Sequence, residues 1–260
     1  MSGAASFGTL YLVPAPLDFG CDVQAPLEDA LPDGTLRTAS RLTHWICENA
    51  KSTRAYLKRV DAVHALAAPL QTQQITELPR EVHKKGDHGV QGNATFDARP
   101  LLAAALAGQD IGLVSEAGMP AVADPGSSVV RAAHDLNIPV VPQVGPVSLL
   151  LALAASGLNG QGFAFAGYLP QDSGGRVQRI RELEALALKH GQTQLFIETP
   201  YRNAALWQAL VQTLQPNTRL ALSSGITLPT ARHASRLVRQ WRQLSEAPDN
   251  RTPTVFAIGR

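Results

Sequence analysis

The stretch Leu113–Val130 reads LVSEAGMPAVADPGSSVV. It decides the fold class, because three signals meet in it. The apolar run Ile111–Val114 has the length and composition of a buried strand. Ser115-Glu116-Ala117-Gly118 breaks that run at once. Ala123-Asp124-Pro125-Gly126 then leads into SSVVRAAHDLN, whose apolar residues recur at helical spacing. A strand, a turn punctuated by Gly and Pro, and a helix form the repeating unit of an α/β domain. Asp124 before Pro125 predicts the helix start, with Asp124 as N-cap and Pro125 at the first helical position.

The same alternation continues outward in both directions. TLYLV, HWIC, IPVVP, FAFAGYL, TQLFIE, TRLALSS and TPTVFAIG read as strands. KSTRAYLKRV, LLAAALAG, GPVSLLLALAASG, GRVQRIRELEALALKHG and YRNAALWQALVQTL read as helices. The fold class is therefore α/β throughout. Gly145-Pro146, after IPVVPQV, breaks the chain into an N-terminal α/β domain over 1–144 and a C-terminal α/β domain over 145–260. The polar, aperiodic stretch Pro79–Pro100 reads as a long loop, of the kind that serves as a lid or is simply mobile.

Composition narrows the function classes. With 45% hydrophobic and 17% charged residues, the chain packs as a globular protein. A net charge of +2 gives no whole-molecule case for nucleic-acid binding, so any such case rests on local patches. Cys21 and Cys47 match no zinc spacing and read as reduced thiols of a cytoplasmic protein. MSGAASFG lacks a signal peptide's charged and apolar regions, and the longest apolar stretch is too short to span a bilayer, so no membrane role is expected. His83, Asp87 and His88 have no defined metal-ligand spacing, and no metal is expected. G-x-G-x-x-G and Walker A sequences are absent, so a nucleotide-like ligand would not be held in the NAD or ATP manner.

Ligands of open α/β sheets bind beyond the carboxyl ends of the strands. Glu116 follows a strand directly, placed either to accept from a ribose hydroxyl or amino group or as an ordinary turn acid. Glu48 and Glu198 each close an apolar strand and are the candidate catalytic carboxylates. Asp18 and His44 are weaker candidates, His44 reading as a packing histidine and Glu198 having local partners in Tyr201 and Arg202. ARHASRLVRQWR places Arg232, Arg236 and Arg239 at helical spacing with no acid among them, the strongest basic patch for RNA. RVQRIR is a second, balanced by Glu182 and Glu184, and Lys84 and Lys85 add charge to the long loop.

VSEAGMPAVADPG, VVPQVGPVSLLLALAASGL, FAFAGYLP and FIETPYR, in that order, resemble the tetrapyrrole methylase superfamily of S-adenosylmethionine-dependent (class III) methyltransferases. GTLYLVPAPL and CENAKSTRAYL fall in register with it. The resemblance is closest to the ribosomal small-subunit RNA methyltransferases that act on a cytidine ribose 2′-hydroxyl. It implies two α/β domains with the cofactor in the cleft between them, and a homodimer, for which LLLALAAS is a suitable helix. S-adenosylmethionine would contact Pro14, Ser115, Glu116, Ala117, Gly118, Met119, Val122 and Ala123, then Gly145, Pro146, Val147 and Ser148, with Leu169, Pro170 and Thr254 flanking the adenine. The chain departs from the family where substrate and catalysis are concerned. An acid-acid-Thr-Arg run is Glu48-Asn49-Ala50-Lys51 here, an RELTK segment is replaced by Ser223–Leu228, and a His-Asn pair is missing from ITELPREVHKKG. These leave open a tetrapyrrole or other small-molecule acceptor, or a cofactor-binding module without catalysis.

Overall fold

A computed structural model of the chain describes residues 6–79, 82, 96–244 and 246–260. The long polar loop, with His83, Lys84, Lys85, Asp87 and His88, lies almost wholly outside the described residues. The chain divides into two compact units, one reaching Val147 and the other running Ser148–Arg260; Cys21–Gln24 group with the second.

The first unit is built on a five-stranded sheet of order β3-β2-β4-β1-β5. Its strands are β1 (Leu10–Leu12), β2 (His44–Cys47), β3 (Gln74–Glu77), β4 (Ile111–Val114) and β5 (Val140–Pro142). Every pairing is parallel. A parallel sheet is covered on both faces, which is why IGLV carries no polar residue. Side chains alternate between the two faces. Trp45, Cys47 and Val114 pack with Leu36, Tyr56 and Leu57 of α1 (Asp33–Arg41) and α2 (Ala50–Asp61). Ile46, Ile111 and Leu113 pack with Ala105 of α3 (Ala103–Leu106) and Val129 and Ala133 of α4 (Ser127–Asp135).

The second unit carries a five-stranded mixed sheet, order β6-β7-β10-β8-β9. The strands are β6 (Phe163–Tyr168), β7 (Thr193–Ile197), β8 (Arg219–Ser224), β9 (Arg232–Leu237) and β10 (Thr254–Gly259). Only β6 and β7 pair in parallel. One face buries Phe196, Leu220, Leu222, Phe256 and Ile258 against α6 (Ser173–His190) and α7 (Asn203–Thr213). The other receives α5 (Ser148–Ser156), which buries Leu149, Ala152 and Leu153 and leaves Leu150 and Leu151 exposed. The edge strand β6 shifts register between Phe165 and Tyr168, where Gly167 has φ +71°. No helix among the described residues is long and apolar enough to cross a membrane.

Two local expectations are corrected. Arg232–Leu237 is a strand and not part of a helix: it pairs antiparallel with β8, Ala234 opposite Leu222, and only Val238–Trp241 (α8) coils. A cross-strand ladder over an apolar core outweighs a weak helical spacing. Asp124 is not the N-cap of α4 either. That position is Gly126, at φ +133°, so the turn runs two residues further than the Asp-Pro signal suggests. Helix α1 and the exposed strand β3 escape a periodicity reading because they are short and polar.

Candidate functional site

All strands of the first sheet point one way, so their carboxyl ends share one edge. Pro14 follows β1, Glu48 follows β2, Ser115 and Glu116 follow β4, and Gly145 and Pro146 follow β5. The sequence-derived residues of this unit are thus brought together along adjacent strand ends. Pro14 and Gly145 touch closely: a Cβ on Gly145 would lie 2.2 Å from Pro14 Cγ. The Tyr56 hydroxyl donates to the Pro14 carbonyl at 3.4 Å.

The loop after β4 has unusual geometry. Gly118 N–H donates to Ala15 O at 3.0 Å, and Ala15 N–H donates to Gly118 O at 2.9 Å. Gly118 therefore spends its own amide on holding two loops together and offers no N–H to a ligand. Its φ of +71° favours glycine, and an added Cβ would meet Leu17 at 3.1 Å. Ala121 and Ala123 also hold positive φ, +64° and +65°. Such backbone strain collects where function requires a shape. Val122 between them is exposed. Ser115 is buried, and its Oγ has no hydrogen-bond partner among the described residues. A buried hydroxyl left unpaired is costly unless something else completes it.

Three acids meet at this edge. Asp124 is half-buried, and its carboxyl is pushed up to about 7, first by burial and then by the negative charges of Glu48 and Glu116. Sequence reading gave Asp124 a capping role; its place beside the other two acids needed the tertiary fold. Asn49 caps α2, its Oδ1 accepting from the N–H groups of Lys51 and Ser52 at 2.9 and 3.3 Å. The amide at this position thus does what an aspartate there would do. Asp18 is the carboxylate of a clamp. Arg59 donates to its two oxygens at 3.0 and 2.9 Å and to Ala25 O at 2.7 Å. His44 Nδ1 lies 3.1 Å from Thr43 Oγ1, a packing arrangement.

In the second unit the corresponding side chains have hydrogen-bond partners, although the buried Oδ1 of Asn203 beside them has none among the described residues. Glu198 is buried, and its Oε1 accepts from Thr199 N–H at 2.8 Å and Arg202 Nη2 at 2.6 Å. Thr254 Oγ1 lies 2.8 Å from Ser224 Oγ and accepts from Asn203 Nδ2 at 3.3 Å. Leu169 lies in the core, and the Pro170 carbonyl accepts from Arg176 Nε at 3.0 Å. Asn203, which sequence reading passed over, is fully buried and ties Asp249 O and Thr252 O to this corner. The basic patch also divides. Arg232 and Arg236 reach Glu246, Arg239 binds Asn217, and Arg242 donates to Val211 O and Leu214 O at the end of α7. Among the described residues no group of three His, Cys, Asp or Glu side chains is placed to hold a metal ion.

The family described as Tetrapyrrole (Corrin/Porphyrin) Methylases matches residues 51–240. The chain belongs to this family. Among its methylase relatives are proteins named ribosomal RNA small subunit methyltransferase I. The one from Mesorhizobium japonicum is 42% identical over 50% of this chain and 44% of its own length. The one from Streptococcus pyogenes is 31% identical over 75% of this chain and 57% of its own. The chain spans about half the length of the curated relatives it matches. Solved methylases share the fold. Uroporphyrin-III-C-methyltransferase from Thermus thermophilus matches with a TM-score of 0.52 at 19% identity, over 97% of this chain and 94% of that one. The methyltransferase CobJ matches with 0.56 at 15% identity, over the same shares.

Proposed function

We propose that the chain is an S-adenosylmethionine-dependent methyltransferase that acts on a ribose 2′-hydroxyl of small-subunit ribosomal RNA. The observation that carries the cofactor half is the buried, partnerless Ser115 Oγ, set in a strained loop at the carboxyl edge of a parallel sheet. A ligand rich in polar groups fits that vacancy in the hydrogen bonding. The names of the relatives support small-subunit ribosomal RNA as the acceptor, and the family resemblance of the motifs supports the ribose hydroxyl.

Bound S-adenosylmethionine supplies a methyl group on a good leaving sulfur. In this reading Pro14, Ser115–Met119, Val122, Ala123, Gly145, Pro146 and Val147 hold it along the carboxyl edge of the first sheet. Gly118 acts through Ala15, as a brace and not a donor. Alignment for in-line attack then supplies much of the rate. Asp124 takes the one proton of the ribose hydroxyl, with the negative charge of Glu48 beside it raising its basicity. A carboxyl titrating near 7 is matched to base chemistry at neutral pH. Glu198 orders the turn at Thr199–Arg202. Arg232, Arg236 and Arg239 contact RNA phosphates. We place the protein in the cytoplasm, as a homodimer using the exposed Leu150 and Leu151. The family description favours one competing acceptor, a tetrapyrrole.

Mass spectrometry of ribosomal RNA from a deletion strain tests the acceptor. One ribose methylation should disappear from the small subunit; an unchanged pattern overturns the RNA reading. Millimolar S-adenosylmethionine should raise the melting temperature, and no rise overturns the cofactor reading.

A further inference from the structure

Arg232 and Arg236 lie on the same face of β9, with Ala234 between them packed on the core. Both guanidinium groups converge on one oxygen, Glu246 Oε2, at 2.6 and 3.8 Å. Arg236 also stacks over the Trp241 ring at 4.8 Å from its centroid, and the Trp241 indole N–H is anchored on Leu220 O at 2.9 Å. Two positive charges thus share one carboxylate. The side chains stay partly open to solvent, 53% and 39% exposed for the arginines and 37% for the glutamate. Beside them opens a cavity of about 270 Å³ lined by Leu222, Pro248, Ser224, Thr230 and Thr252, and by Asp249, whose carboxylate is engaged by the Thr252 amide and hydroxyl. Its aliphatic walls suit the face of a base, and its hydroxyl-bearing residues suit polar base edges or a sugar.

We propose that Arg232, Arg236 and this cavity form a subsite for one nucleotide of single-stranded RNA, closed by Glu246 until a phosphodiester displaces it. The subsite rests on the RNA reading above. An ion pair as exposed as this one contributes little, so opening it is easy. A phosphate offers two guanidinium groups several charge-assisted hydrogen bonds in place of the single shared oxygen. The freed base leaves its stack and enters the cavity against Leu222, as is usual where proteins read unpaired RNA.

Binding of a labelled small-subunit ribosomal RNA fragment to the full chain, followed by fluorescence anisotropy across salt concentrations, tests this. Glu246→Gln should tighten binding about 3-fold at low salt. It should also steepen the slope of log K against log salt, because the two arginines then face phosphate without a competing carboxylate. Adding Arg232→Ala or Arg236→Ala to that variant should reverse both changes. Thr230→Trp, which fills the cavity, should weaken binding several-fold with the slope unchanged. Wild-type RNA binding with no response to Glu246→Gln, or none to Thr230→Trp, overturns the subsite and leaves the RNA reading standing. Absence of RNA binding by every form overturns both.

Discussion

Glu48 and Glu198 look alike in the sequence: each closes an apolar strand and opens a turn. The fold treats them differently. Glu198 meets groups from its own turn, the Thr199 amide and the Arg202 guanidinium, and its charge is locally neutralised. Glu48 lies near Asp124, which comes from a loop far along the chain, and its negative charge together with that of Glu116 disfavours ionisation of the Asp124 carboxyl. A carboxylate answered by its own neighbours is a structural part. One set against other carboxylates stores free energy that a bound ligand or a transferred proton can release. Two hydroxyls differ in the same way: that of Thr254 is paired with Ser224 Oγ, whereas that of Ser115 has no partner among the described residues.

The contrast can be broken most sharply at Glu198. Glu198→Ala should cost about 3 kcal/mol of stability in urea unfolding, because Arg202 is left without its partner. The pH–rate profile of the surviving enzyme should keep its shape. A shifted profile with full stability would move Glu198 into the chemistry. Gly118→Val comes next, at about 2–3 kcal/mol, from forcing a branched side chain to positive φ against Leu17. Cofactor affinity should fall with it, since the Ala15 bridge is lost. Full stability with lost affinity would instead give Gly118 a direct ligand contact.

Asp124→Asn tests the other side of the comparison, and its sign depends on pH. The folded carboxyl titrates near 7 and the unfolded one near 3.8. Between those values the folded state binds a proton that the unfolded state has lost, so wild-type stability falls as pH rises. The variant escapes that fall. It should match the wild type near pH 4 and exceed it by about 1–2 kcal/mol above pH 7, after allowance for partial exposure. Its activity should lose the limb near neutrality; equal stability at both ends would remove the acid cluster. Asn49→Ala should have the smallest effect, about 1 kcal/mol for a lost cap. Asn49→Asp should restore it, whereas a gain of activity in Asn49→Asp would make the position more than a cap.

Local chemistry made much of this legible in advance. IGLV reads as a strand buried on both faces because it is short, wholly apolar and bounded by turn residues, and GRVQRIRELEALALKHG reads as a helix because it is long and amphipathic. Pro14, Glu48, Ser115 and Gly145 could be placed at strand ends one by one. Their order along the edge could not, since β1 sits between β4 and β5 by long-range pairing. Asp124 beside Glu48, Asn203 beneath Thr252, and Glu246 between two arginines are all long-range meetings. No spacing rule encodes them. β9 departs from its helical spacing because strand pairing there overrides a local pattern that suits a helix equally well.

The two borders of the mixed sheet also bear on solubility. A free strand edge offers unpaired N–H and C=O groups to any other extended chain. β6 blunts its border with the irregularity at Gly167, whereas β9 sets Arg232 and Arg236 along its border. The second device guards against strand-on-strand aggregation by charge repulsion. Neutralising both arginines would therefore remove a safeguard against self-association along with any grip on phosphate.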